Sequence, residues 1–327
     1  VTIAFLGHSY HQRTASSGFM QDILREAYGA MDCFFDDSWA GGIALDVPGI
    51  VARGYDHIHI WQMESLAAAV AAAGPSVPVT FYPMLDSARM AKDDFWRRIA
   101  GHMRIVCFSR TLHLQMLRRG LESACFEYMP DPASQVPVMD PEPESLFFWQ
   151  RRRDLGWPEV RRLLPPGFAG RVHLHMHLDP TYGTPEPPPA EEIVRYRITT
   201  STWFEDRAEL DALTRSFAGY VAPRLHEGIG MSFLEAMARG QCVIAADNPT
   251  MNEYITHGVN GLLFAPREPA PLDLSRMAEI GRRARQGIEA GFERWERDRR
   301  GRLLDYIDAP RGADTALLRE SSLAMIA

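Results

Sequence analysis

Two carboxylates, Glu227 and Glu235, bracket a short glycine-containing run, Gly228-Ile229-Gly230-Met231-Ser232. Gly228 and Gly230 permit a tight turn and leave the backbone uncovered. The Ala/Met-rich stretch from Met231 to Arg239, closed by Gly240, predicts a helix whose first N–H groups and positive dipole end face whatever lies before them. Phosphate oxygens or electron-rich sugar oxygens are the natural guests of such a terminus. At a rise of about 1.5 Å per residue, the two carboxylates stand on the order of 10 Å apart. That separation suits two polar sugars at opposite ends of one diphosphate. The stretch therefore predicts a cradle for a sugar nucleotide, with helix amides for phosphate and a carboxylate at each end.

The elements that must hold this cradle alternate strand and helix along the chain. Val1–Leu6 reads as a buried first strand, followed by a polar loop and a helix to Tyr28 that Ser16 or Ser17 can cap. Further strands are expected at Met31–Phe35, Asp56–Trp61, Val77–Phe81, Arg104–Phe108 and Cys125–Tyr128, which makes six in the first half. Ile50–Tyr55 reads as a turn, and helices are expected at Ser65–Ala73, Phe95–Met103 and, capped by Ser109, Thr111–Gly120. The prolines between Pro130 and Pro143 mark a linker that holds neither helix nor central strand. In the second half, strands are expected at Leu146–Trp149, Arg171–Leu178, Arg197–Thr200, Tyr220–Ala222, Cys242–Ala246 and Gly261–Phe264. Asp206–Phe217 is amphipathic, and Leu272–Tyr306 is a long charged helical stretch. This alternation predicts an α/β chain with domains at 1–132 and 145–305, a linker at 133–144 and a tail at 306–327.

Composition narrows the class. The chain has 327 residues, with 46% hydrophobic and 24% charged, which is globular. A net charge of −7 argues against nucleic acid as the main partner. The four cysteines lack paired spacing and read as reduced thiols, so a cytoplasmic setting is expected. The longest apolar stretch is too short to span a bilayer. No signal peptide is expected ahead of the first strand. Peripheral association at the inner membrane face stays open, as does the oligomeric state. Of 35 basic residues only Lys92 is a lysine, so any phosphate-neutralising role falls to arginine. This Arg-, Ala- and Gly-rich composition fits a bacterial source.

The run Pro223–Gly240 resembles the donor-site signature of retaining GT-B glycosyltransferases of family 4. It carries the Glu-x7-Glu spacing, the Gly-x-Gly turn and the Glu-Ala-Met-Ala-x-Gly helix end. Val243–Asp247, Asn252–Ile255 and Gly258–Phe264 continue the match. The resemblance implies two Rossmann-like domains facing an interdomain cleft, and metal-independent glycosyl transfer from an NDP-sugar to a hydroxyl on a glycan, lipid-linked or protein acceptor. It implies no cofactor beyond the donor substrate. By the same resemblance, Glu227 holds the transferred sugar and Glu235 the ribose. Gly228, Ile229, Gly230, Met231 and Ser232 present amides to the diphosphate, and Arg224 and His226 flank them.

Other positions carry over with departures. The family places an Arg, then a Lys, on the loop after the first strand of the second domain. Here Arg151, Arg152 and Arg153 are available, while Asp154-Leu155-Gly156 stands where the lysine would be. Two of these arginines are expected to share the phosphate, and a solvated basic cluster is the alternative. The family's first loop touches the diphosphate, which makes Ser17 and Gly18 candidates, with His8 and His11 lining the acceptor approach. Gln62 and Glu64 follow a strand end, where open α/β sheets bind ligands, and are acceptor-side candidates. After Val77–Phe81 the family's usual histidine is absent. Asp86 is the first ionisable group there, either as the base that accepts the acceptor's proton or as an N-cap for Ser87–Ala91. His173, His175 and His177 alternate along one strand and suggest structure or nucleotide contact in preference to zinc. A non-catalytic sugar-nucleotide or glycan-binding module is the second reading. A phosphorylase or an epimerase is the third.

Overall fold

The computed structural model describes residues 1–180 and 182–310. Among them, twelve strands form two parallel sheets of six. The first sheet contains β1 (Thr2–His8), β2 (Ala30–Asp36), β3 (His57–Trp61), β4 (Val79–Tyr82), β5 (Arg104–Cys107) and β6 (Ser123–Cys125), in the order β2-β1-β3-β4-β5-β6. The second contains β7 (Glu142–Gln150), β8 (Val172–Met176), β9 (Thr199–Ser201), β10 (Phe217–Val221), β11 (Cys242–Ala246) and β12 (Leu262–Phe264), in the order β12-β11-β10-β7-β8-β9. Both are doubly wound. The second sheet has the Rossmann order, and each sheet reverses its winding once, between β1 and β3 and between β7 and β10.

The chain divides into two compact units, residues 1–128 with the segment from Trp295 onward, and residues 129–294. The first unit thus regains the chain at Trp295, whereas the sequence placed the start of the tail at 306. Trp295 packs against Phe19, Phe108 and Tyr128. The buried Arg104 guanidinium then gathers the carbonyls at the end of helix Arg302–Asp308, donating to Tyr306, to Ile307 at 3.2 Å and to Ala309 at 2.6 Å. A helix end leaves four carbonyls without intrahelical partners, and a guanidinium supplies several donors at once. The tail beyond residue 310 lies outside the described residues.

Inner strands such as β1, β10 and β11 are buried on both faces, so they read as near-continuous apolar runs. In the first unit, Leu6, Ile58, Ile60, Phe81, Ile105 and Trp96 share one buried cluster. Each such side chain contributes about 1.5–3 kcal/mol when fully buried.

Several elements differ from the sequence-based expectations. The loop at 7–15 contains a short helix, Tyr10–Thr14, and the expected turn at 50–55 is preceded by helix Val47–Val51, which Asp46 caps by accepting from the Gly49 N–H at 3.1 Å. The helix at 95–103 runs instead over Asp93–Ile99, and the last strand of the first sheet is Ser123–Cys125, earlier than 125–128. β7 starts at Glu142, inside the expected linker. Pro143 is tolerated because it stands at the strand's first turn of pairing, where a ladder N–H is not needed. Phe217 opens β10 and does not close the amphipathic helix, which spans Arg207–Thr214. The long C-terminal stretch is two helices, Met277–Arg300 and Arg302–Asp308, broken at Gly301.

Candidate functional site

The second unit builds a half-site at its winding reversal. β10 ends at Val221, the chain turns through 222–230, and helix Met231–Ala238 follows. Gly230 has φ +82°, a left-handed conformation that L side chains rarely adopt, and a Cβ there would meet the Phe233 ring at 1.9 Å. Backbone angle and ring thus both require glycine at the helix entry. The loop before it is held from the side. The buried Thr250 hydroxyl lies 3.0 Å from the carbonyls of both Glu227 and Gly228, and the Asn248 amide donates to the Leu225 carbonyl at 2.8 Å. Glu227, Gly228 and Ile229 are buried, while Met231 and Ser232 are partly exposed. The Ser232 side chain shares a hydrogen bond with the buried Tyr220 hydroxyl, which ties the first helical turn to β10.

Glu235 lies one turn into the helix, and its carboxylate is paired with Arg207, whose Nη2 donates at 3.2 and 3.3 Å. Arg207 is the more exposed partner, at 64% against 19% for Glu235. The Glu235 charge is the main reason the Arg207 guanidinium is held above its ordinary range.

Across the reversal, the loop after β7 supplies Arg151, Arg152 and Arg153. The structure joins them to a residue not singled out in the sequence, Asp179, which follows β8. Asp179 accepts from Arg151 at 2.8 Å and from Arg224 at 2.5 Å, and Arg152 stands 3.9 Å away. The Asp179 N–H also donates to the Arg151 carbonyl at 2.8 Å. Burial opposes charge on Asp179, but Arg151 and Arg224 outweigh it and hold the carboxyl below its usual range. Arg153 donates to the Tyr182 carbonyl at 2.7 Å, and the Arg152 guanidinium lies 5.2 Å from the Tyr182 ring centre. Three guanidiniums on one carboxylate leave this group of four side chains cationic, as an anionic ligand requires. His226 lies half-buried in the same loop as Arg224.

The histidines of β8 turn inward to hydroxyls. His173 pairs with Thr199 and Ser201, and His175 with Ser201, each at 2.8 Å. Among the described residues no cluster of histidine, cysteine and carboxylate side chains is arranged to hold a metal ion.

The first unit has its own half-site at the β1/β3 reversal, and there the structure brings together five residues that the sequence pointed to. His11 Nε2 and Gln62 Oε1 meet at 2.8 Å across the two strand ends. His8 lies against His11 with ring centres 3.6 Å apart. Gln62 holds a left-handed φ of +65°, a strained conformation for a non-glycine residue. The Ser87 hydroxyl donates to Glu64 at 3.0 Å. Burial raises the Glu64 carboxyl, and the neighbouring Asp86 charge adds to the rise. Burial lowers His8, while Asp36 and Asp86 pull it back upward. Burial, reinforced by His8, takes His11 down to about 3. Asp86 lies inside helix Leu85–Ala88, whose N-cap is Met84, so it does not cap a helix at 87–91.

Ser17 and Gly18 open helix Gly18–Tyr28, with Ser17 buried and Gly18 partly exposed. The Ser17 hydroxyl accepts from Gln21 at 2.9 Å without capping the backbone, and the Gly18 N–H donates to the Ala15 carbonyl at 3.0 Å. Both residues line a cavity of about 310 Å³ with His11, Gln21, Arg25 and Cys33.

Two doubly wound α/β units, each with a polar half-site at its winding reversal, define the fold as that of GT-B glycosyltransferase structures. Residues 198–275 match the family model of glycosyl transferases group 1, which bears out the resemblance at the level of that group. Among solved structures, Anabaena HepE in complex with UDP aligns with a TM-score of 0.67 at 16% identity, covering 93% of this chain and 100% of its own. Sucrose-phosphate synthase from Thermosynechococcus elongatus aligns at 0.72 and 16% identity, covering 93% and 98%. The lipopolysaccharide outer core galactosyltransferase WaaB, in its apo form, aligns at 0.58 and 15% identity, covering 100% and 99%. A search of curated protein sequences finds no match.

Proposed function

We propose that this protein is a glycosyltransferase that moves a sugar from an NDP-sugar to a hydroxyl acceptor, with retention at the anomeric carbon and without a metal. The observation that carries this reading is the convergence, at the β7/β10 reversal, of the Gly228–Ser232 turn and the arginine cluster on Asp179. The match over residues 198–275 supports it, as does the UDP bound in HepE. Glu227 holds the hydroxyls of the transferred sugar, Glu235 the ribose, and the helix amides with Arg151, Arg152 and Arg224 hold the diphosphate. Arg153 and His226 border it. As the sugar–phosphate bond breaks, charge grows on the diphosphate, and preorganised guanidiniums and amides stabilise that charge more than the ground state. The acceptor hydroxyl loses its proton to the leaving diphosphate, with Asp86 as the assisting carboxylate. The acceptor is a glycan, a lipid-linked saccharide or a protein, in bacterial glycan synthesis on the cytoplasmic side.

A thermal-shift panel of UDP, GDP, ADP and dTDP on wild type and Glu235→Ala tests the donor site. A ligand that binds only the folded state raises its stability in proportion to the logarithm of occupancy. One nucleotide should stabilise wild type and lose its effect in the variant, and Glu227→Ala should lower turnover. No response to any nucleotide refutes the reading. The second reading is a non-catalytic sugar-nucleotide module. The lysine missing at 154–156 and the histidine missing after β4 favour it. Nucleotide binding with neither transfer nor donor hydrolysis would establish it.

A further inference from the structure

An aromatic corner in the first unit has no role in the chemistry above. β2 ends at Asp36, and the chain then makes a single 3-10 turn, Ser38–Ala40, that carries Trp39. This loop is stiff for a surface segment. The buried Asp36 carboxylate accepts from the N–H groups of Ser38 and Leu45, both at 3.0 Å, and from the Ser38 hydroxyl. The Gly42 N–H donates to the Asp37 carbonyl at 2.9 Å, which closes the ring.

Trp39 is 39% exposed, yet it is fixed. Its indole N–H donates to the Ser9 hydroxyl at 3.1 Å, and that hydroxyl in turn donates to Asp37. Tyr10 meets it edge-on with ring centres 5.7 Å apart, and His8 lies at the same distance. Indole and phenol rings are amphipathic, and a large, partly exposed pair held in one orientation loses little entropy when a ligand covers it. The corner adjoins the β1/β3 reversal through His8. There the Nδ1 atoms of His8 and His11 are buried without a hydrogen-bond partner among the described residues.

We propose that Trp39, Tyr10 and the Asp37 carboxylate form an acceptor subsite for a neutral saccharide ring, a reading that rests on the transferase function above. The apolar C–H face of a pyranose lies on the indole, and its hydroxyls donate to Asp37 and reach the His8 side. Charge decides between a neutral and an anionic occupant. The charges that act on His8 are two carboxylates, Asp36 and Asp86, so a phosphate group placed here meets repulsion.

The test is calorimetric titration of the whole chain with methyl pyranosides and neutral disaccharides. It is run on wild type, Trp39→Ala and Asp37→Asn, with the nucleotide panel as a parallel series. At least one neutral sugar should bind, and both substitutions should weaken it by about tenfold while nucleotide binding holds. Equal sugar affinity in wild type and Trp39→Ala overturns the subsite. So does binding of none of the sugars, or binding only of vesicles containing phosphatidylglycerol. Absence of nucleotide binding with Trp39-dependent sugar binding overturns the transferase reading, and with it the acceptor role, and leaves a saccharide-binding site.

Discussion

Arg224, on the loop after β10, donates to Asp179, on the loop after β8, at 2.5 Å, and so ties together the two sides of the β7/β10 reversal. A buried carboxylate held by two guanidiniums keeps both at fixed angles. Their remaining N–H groups can then meet phosphate oxygens without reorganising. Arg224→Ala should weaken nucleoside diphosphate binding by about 2 kcal/mol, roughly thirtyfold. Isothermal titration with the nucleotide chosen by the thermal panel checks this, and an unchanged affinity removes Arg224 from the donor site.

Arg207 covers Glu235, the carboxylate assigned to the ribose. A nucleotide must then displace a guanidinium that is itself largely exposed. Exposed ion pairs are worth about 0–1 kcal/mol, so Arg207→Ala should tighten nucleotide binding by a factor of roughly two to five. Weaker binding in the variant would make Arg207 a ligand-holding residue in its own right.

Gly230→Ala should be strongly damaging to the second unit. It adds left-handed strain to a contact with Phe233 that only movement of the ring relieves. A loss of about 2–4 kcal/mol is expected by urea denaturation, with nucleotide binding reduced in the fraction that folds. A variant that keeps wild-type stability would show that the helix entry can adopt another backbone.

The buried histidines set an acid limit. Burial holds His57, His173 and His175 at about 4 each, against an ordinary value of 6.5. Between those values the unfolded chain takes up protons that the folded chain refuses. Stability is therefore full above pH 6.5 and falls as pH drops toward 4, by about 1.4 kcal/mol per pH unit for each histidine. Urea midpoints at about pH 7 and about pH 5 measure it, and His175→Gln should flatten the slope. Equal midpoints at the two values would contradict the assignment.

What could be read ahead of the structure was whatever is local. The Gly-x-Gly entry to helix Met231–Ala238 and the inner strands of each sheet follow from turn chemistry and apolar runs. Asp179 was out of reach. It opens a proline-rich loop that reads as exposed, and its partners Arg151 and Arg224 become neighbours only when β8 and β10 pack on either side of β7. Trp39 was missed for a related reason, because a lone aromatic between acidic and glycine residues carries no periodic signal. The bonds made by Ser17 and Gly18 run to Gln21 and Ala15, where a serine-glycine pair before a helix reads equally well as capping or as ligand-binding.

The first unit is not continuous in the chain: its sheet is complete by residue 125, yet Trp295 and the helix held by Arg104 belong to the same body. During synthesis, at about 5–20 residues per second, the nascent sheet waits on the order of ten seconds or more for its closing segment. For that interval Phe19, Phe108 and Tyr128 lack the indole that covers them, and the Arg104 guanidinium lacks its carbonyls. The second unit, made later, is the one able to finish first. The half that is made first is thus the half whose last contacts are made last.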